Sequence, residues 1–196
     1  MIKHAILPIV TLAIMAVVLA SVFAYYPLTI TAQPTAPGVV FEAGSNAGKP
    51  DIGTGKTITV TIGDNKTSAS ITIHPTYQEN YYKDVLKIKN NDDNEMKVYI
   101  IFTSVNPNLP QDSVVKLFIY DETTGTRVKE LDITNPGINR LTSIGSIAAG
   151  GTWQIDFYVY IPEGTKITGT SYSANAELVY SPSTTETPPV DPISGR

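Results

Sequence analysis

Beyond residue 38, apolar side chains recur at every second position along most of the chain, and this constrains the fold more than any other feature. In Thr57-Ile58-Thr59-Val60-Thr61-Ile62 the aliphatic residues share one face and the threonines the other. A period of two belongs to a strand with one buried face. Ser70-Ile71-Thr72-Ile73-His74 repeats the scheme, and Gly63-Asp64-Asn65-Lys66 between the two supplies turn residues. Further strands are expected over 85–90, 96–103, 114–121, 128–133 and 141–147. Breaks fall at Asn90-Asn91-Asp92-Asp93-Asn94, Thr123-Thr124-Gly125-Thr126, Asn135-Pro136-Gly137 and Ala149-Gly150-Gly151. The 96–103 segment is apolar on both faces, with Val98, Ile100 and Phe102 opposing Tyr99 and Ile101, which implies a central or covered strand.

The clearest alternation comes last. Trp153, Ile155, Phe157, Val159 and Ile161 oppose Gln154, Asp156, Tyr158 and Tyr160. Tyr172, Ala174, Ala176, Leu178 and Tyr180 then oppose Ser171, Ser173, Asn175 and Glu177. After residue 24 no segment keeps helical spacing of its apolar residues. The expected fold is all-β, a jelly roll or β-sandwich of about nine to ten strands.

Residues 1–24 do not belong to that pattern and read as a cleaved signal peptide. Lys3 and His4 form a short basic start, and 5–20 is apolar apart from Pro8 and Thr11. Val22-Phe23-Ala24 puts small or medium side chains at the −3 and −1 positions of a cut between Ala24 and Tyr25. This predicts a secreted chain, extracellular or at the cell surface, with no permanent membrane anchor. Two readings compete. About 20 apolar residues suffice for a retained anchor. A type IV pilin-like leader, cut near His4, would keep the apolar segment as a helix, although Lys3-His4-Ala5 fits such a cut poorly.

Composition then removes chemistry. The chain has no Cys and 2 His, so a disulfide scaffold, thiolate metal sites and a Cys nucleophile are excluded. A formal charge of −4 argues against nucleic acid as a partner, because phosphate binding needs a basic footprint. Loss of 1–24 removes Lys3 and no acid, making the exported chain more acidic still. No Gly-x-Ser-x-Gly, phosphate-loop or zinc motif occurs. No catalytic residue, metal or cofactor is therefore expected, and an extracellular hydrolase has no positive feature. An exported β-domain without disulfides must draw its stability from core burial or from assembly.

Two segments flank the expected domain of residues 39–180. The tail, 181–196, is rich in Pro, Ser and Thr and is expected to be disordered or extended. Residues 25–38 are more informative. Pro27-Leu28-Thr29-Ile30-Thr31-Ala32 alternates like a strand, with Leu28 and Ile30 on one face, and a stiff Gln33-Pro34-Thr35-Ala36-Pro37-Gly38 linker follows. Such a strand either folds back on its own domain or is donated to the sheet of a neighbouring subunit. Donation is a head-to-tail contact that does not close, so it propagates into a filament.

Val40-Phe41-Glu42-Ala43-Gly44, with Asp51-Ile52 after it, resembles the Phe-x-Ala/Ser-Gly-x-Leu-Asp-Leu segment of TasA/camelysin-type fibre proteins. Lys83-Asp84-Val85-Leu86-Lys87-Ile88-Lys89-Asn90-Asn91 is similar to their later strand with its Asn-rich turn. Among that family the archaeal bundling pilins look most alike. The Ala43–Asp51 spacing is longer than in the family pattern, and the 25–38 lead is richer in proline. The resemblance implies an exported subunit of a biofilm fibre, polymerised by donor-strand complementation. Its partners would be identical subunits and neighbouring fibres in a bundle. Leu28 and Ile30 would fill a neighbour's groove, and Val39 and Phe41 are candidate extensions of the donor strand.

The remaining motifs have bland counterparts. Asn90-Asn91-Asp92-Asp93-Asn94-Glu95 offers oxygen ligands but lacks the spacing and central Gly of a calcium loop, so it reads as a solvated turn. Asn65-Lys66-Thr67 is an N-glycosylation sequon in an expected hairpin turn. His74, before Pro75, is expected at the surface. Tyr77, Tyr81, Tyr82, Tyr158 and Tyr160 either pack in the sandwich or stack on sugars or neighbouring fibres. A monomeric glycan-binding surface module therefore stands as a further alternative.

Overall fold

The structure is a computed structural model and describes residues 26–182 and 185–189. The signal segment 1–24 and the Ala24–Tyr25 cut lie outside the described residues. The chain divides into two units, Met1–Thr35 and Ala36–Arg196.

The second unit is all-β, with no helix among the described residues. Its strands are β1 (Val39–Ala43), β2 (Thr59–Ile62), β3 (Ala69–Thr72), β4 (Gln78–Asn90), β5 (Met96–Asn108), β6 (Val114–Asp121), β7 (Arg127–Asp132), β8 (Leu141–Ile147), β9 (Thr152–Ile161) and β10 (Ser171–Ser181). They form a five-stranded sheet in the order β1-β4-β9-β6-β7, a three-stranded sheet β10-β5-β8 and a two-stranded sheet β2-β3. Every ladder is antiparallel. The arrangement is a β-sandwich, as the alternation predicts.

The register explains the core. Leu86 lies opposite Ile155, and Ile155 opposite Ile119. Tyr82, Phe157, Leu117 and Leu131 form the next row, and Asn80, Val159 and Val115 the one after. Facing them from the three-stranded sheet are Met96, Val98, Ile100 and Phe102 of β5 and Ile144 and Ile147 of β8, all buried in the same cluster. Trp153 is among the largest fully buried side chains. The inward set expected for β9 is the observed one. On β5 the other face is covered too: Tyr99 and Ile101 are buried, and the Tyr99 hydroxyl donates to the Glu186 carbonyl at 3.3 Å.

The hairpin β2-β3 packs on the inner side of the five-stranded sheet. Ile58, Val60, Ile71 and Ile73 cluster with Tyr82, Val85 and Phe157, and the Phe41 amide donates to the carbonyl of Lys66 in the hairpin turn. Two strands run longer than the alternation suggests. β4 begins at Gln78 rather than 85 because a bulge between Tyr82 and Leu86 interrupts its period. Asp84, inside the bulge, has φ 46°, and Val85 and Leu86 are consecutively buried. β5 continues to Asn108 because its far half pairs with β10, while β8 pairs only as far as Ile101. Pro107 is tolerated there, where one side of the strand needs no ladder donor.

Candidate functional site

The inner face of the sandwich is filled unevenly. Ile155 and Val159 of β9 are 2% and 3% exposed, and Ile119 and Val115 of β6 are 1% and 4%. Phe157 and Leu117 sit between these residues on the same face, at the centre of the five-stranded sheet, yet both are only half-buried. A closed sandwich buries its central row best. Here the central row is where apolar surface is left over.

The other layer has a matching deficiency. β10 is an edge strand, paired within its sheet only to β5. Its inward residues follow from the register: Ala174 opposite Val105, Ala176 opposite Phe102, Leu178 opposite Ile100 and Tyr180 opposite Val98. Phe102, Ile100 and Val98 are buried. By contrast Ala174 and Leu178 are half-buried, Ala176 is exposed, and Tyr180 is 37% exposed. No ladder joins β10 to the β2-β3 hairpin. The layer opposite the five-stranded sheet is thus made of two pieces, with apolar side chains incompletely covered on β9, β6 and β10.

Residues 26–38 of the chain hold the complementary feature. Residues 26–37 have no secondary structure, and Leu28 and Ile30 are each 82% exposed. Pro27, Thr29, Thr31 and Ala32 are exposed as well. The strand expected over 27–32 is therefore an exposed, unstructured stretch within the chain itself. Val39 and Phe41 behave differently. They belong to β1, with Val39 opposite Asn90 and Phe41 opposite Ile88 of the same chain, and Val39 is buried. Here Val39 lies in this chain's own core and Phe41 packs against it.

The two short motifs that carry the family resemblance have local physical roles. A Cβ on Gly44 would lie 2.0 Å from the Asp84 carbonyl oxygen and 2.7 Å from the Val85 carbonyl carbon. Gly44 lets the chain cross directly over the β4 bulge, where its amide donates to Val85 O at 3.0 Å. Ser45 N–H then donates to the Asp84 carboxylate at 3.0 Å. Asp51 anchors the following loop. Its side chain is buried and accepts from Ile52 N–H at 2.6 Å, from His74 N–H at 2.7 Å and lies 3.0 Å from His74 Nδ1. His74, expected at the surface, is instead half-buried against this carboxylate. Burial, and then Asp51, push the Tyr82 hydroxyl well above the usual tyrosine range.

Other expectations are placed as follows. Asn65 is exposed in the β2-β3 turn, where a glycan would have room. In the Asn90–Glu95 turn the Asn90 side chain is spent on the carbonyls of Asn94, Ile147 and Ala148, and Asp92 accepts from Asn94. Sequence reasoning missed the incompletely covered residues Phe157, Leu117 and Ala176, which together line a notch in the inner face. The signal for Ala176 was present: two alanines on the inward face of a strand whose other inward residues are large.

Neither a scan against protein-family models nor a search of curated proteins returns a match.

Proposed function

We propose that this chain is the exported subunit of an extracellular fibre and polymerises head to tail. The stretch 27–32 of one copy adds as a strand along β10 of the next. The observation that carries this reading is the half-buried Phe157–Leu117 pair, at the centre of a sheet whose flanking rows are closed. A strand beside β10 would hydrogen-bond to an otherwise exposed edge and lay alternate side chains over that row. Leu28 and Ile30, two residues apart, have that spacing. Covering each contributes about 1.5–3 kcal/mol, beyond the main-chain bonds. The occupant is a second copy because the segment is short, apolar on one face and carried by every chain.

This reading accounts for an exported β-domain that has no cysteine. It also agrees with the resemblance to archaeal bundling pilins, whose fibres form by donated strands. The contact is heterologous, so it extends rather than closes. Deletion of 26–33 tests it. The truncated chain should fold and remain soluble, form no fibres in electron micrographs, and bind a synthetic peptide of residues 26–38. Normal fibres from the truncated chain would overturn the mechanism.

A further inference from the structure

We infer that the outer face of the five-stranded sheet carries a carbohydrate-binding cleft, formed by Tyr81, Tyr120, Glu122, Gln154 and Asp156, whose ligand is a neutral oligosaccharide. This is independent of the fibre reading, since the cleft and the β10 groove lie on opposite faces of β9.

The cleft has a volume of about 350 Å³ and opens to solvent. That is within the range of about 300–1,000 Å³ typical of small-molecule sites. Its floor is Asp156, which shares the outward register of Tyr158 and Tyr160 but is only 1% exposed. Asp156 Oδ1 accepts from Asp84 N–H at 2.7 Å and from Gln154 Nε2 at 2.8 Å. Its Oδ2 accepts from the Tyr81 hydroxyl at 2.6 Å.

These bonds fix the Tyr81 ring, although the residue as a whole is 51% exposed. The hydroxyls of Tyr81 and Tyr120 are 3.3 Å apart. Phe118 extends the aromatic surface, with its centroid 6.0 Å from that of Tyr81 and 6.5 Å from that of Tyr120. Arg127 lies over the Phe118 ring, with its guanidinium carbon 5.7 Å from the centroid.

A pyranose needs this combination. Its C–H face packs on an aromatic ring, and its hydroxyls pair with fixed polar groups at the ring's edge, here the Glu122 carboxylate, held by Lys87, and the Gln154 amide, held by Asp156. Because Tyr81 is already held, little side-chain ordering remains to oppose binding. Charge narrows the class. The lining carries Asp121, Glu122 and Asp156 against Lys83, and Lys87 pairs with Glu122, which leaves one acidic charge in excess and disfavours an anionic sugar or a phosphate. A recess with so many charges is also a poor centre for a protein interface, whose core is depleted of them.

The test uses the full exported chain, titrated by NMR with soluble maltohexaose, cellohexaose, mannohexaose and chitohexaose, and with a sulfated oligosaccharide as an anionic control. Saturable shifts with a neutral sugar, weakened roughly tenfold or more by Tyr120→Ala and by Glu122→Gln, are expected. Glu163→Ala, exposed in the β9–β10 connection and outside the cleft lining, should bind like the parent, and a thermal melt of each variant checks its folding. Absence of neutral-sugar binding at millimolar concentration would overturn the proposal. So would preference for the sulfated sugar, or equal binding by folded Tyr120→Ala. Loss of self-association in Tyr120→Ala without any sugar response would assign this face to protein contacts instead.

Discussion

Asp156 on β9 accepts the backbone N–H of Asp84 at 2.7 Å and so staples the bulge of β4 to its neighbour. The bulge takes two consecutive residues, Val85 and Leu86, out of simple alternation and into two apolar clusters. Without a buried acceptor the Asp84 amide would be orphaned. Asp156→Ala is expected to lower stability by about 2–4 kcal/mol, because it removes a charged acceptor from several donors at once. Asp156→Asn keeps one acceptor oxygen and should lose roughly half as much. Urea midpoints at constant slope measure both; a loss within error for the Ala variant would show that the bulge holds itself.

Gly44 makes the second contact with that bulge. No rotation of a side chain relieves a Cβ placed 2.0 Å from a carbonyl oxygen of the main chain, so the backbone must shift. Gly44→Ala is expected to cost at least the ~1–3 kcal/mol typical of overpacking. It should also lower amide protection at Ser45 and Asn46, whose N–H groups bond to Asp84. Hydrogen exchange and the unfolding midpoint together check this.

On the donor side, charge placed on the inserted face should be decisive. Leu28→Asp and Ile30→Asp each replace an apolar contact worth about 1.5–3 kcal/mol by a carboxylate that would be buried without a partner. Neither residue packs in a strand of its own chain, and each is 82% exposed. The variants should therefore melt like the parent as monomers yet form no fibres. A fall in monomer stability would instead mean that 27–32 folds back on its own domain.

On the acceptor side, filling the notch should have the opposite signature. Ala176 faces inward opposite Phe102 and is exposed. Ala176→Phe would cover the half-buried row from within, adding stability to the monomer in the range of about 1–2 kcal/mol. It should also slow or stop polymerisation and abolish binding of a 26–38 peptide. Unchanged fibre growth by the folded variant would move the acceptor edge elsewhere.

The fold was legible wherever a strand kept one period from end to end. β6 and the inward set of β9 follow directly from alternation, whereas in β8 a register shift at Ile144 puts its buried residues, Ile144 and Ile147, three apart. β4 was half legible because its period breaks at Asp84 and its first half, Gln78–Tyr82, is polar on paper; pairing with β9, not composition, makes it a strand. Asp156 reads as an outward polar residue, since nothing local announces that Tyr81, Gln154 and the bulge amide converge on it. The groove was legible only on the donor side. Leu28 and Ile30 declare themselves by spacing, whereas the notch arises from burial that Phe157 and Leu117 fail to achieve, a property of the assembled layers.

Tyr172 gives the fold a defined alkaline limit. It lies half-buried on the inward face of β10, and its hydroxyl donates to the Ile133 carbonyl. Burial, and then the charge of Asp132, push its pKa from 10.0 to about 12. The folded state thus holds this proton after the unfolded chain has released it. Between those two values the unfolded state binds fewer protons, so stability falls as pH rises. The contribution is complete below about pH 10 and is lost as pH rises through about 12. Tyr81 and Tyr82 are shifted in the same direction and extend the decline. Tyr172→Phe should be less stable at neutral pH by about 1 kcal/mol, from the lost hydrogen bond. Its stability should nevertheless fall less steeply above pH 10 than that of the parent. Urea midpoints from pH 8 to pH 12, with tyrosinate absorbance followed in parallel, decide the matter; equal slopes for the two proteins would remove Tyr172 as the group responsible.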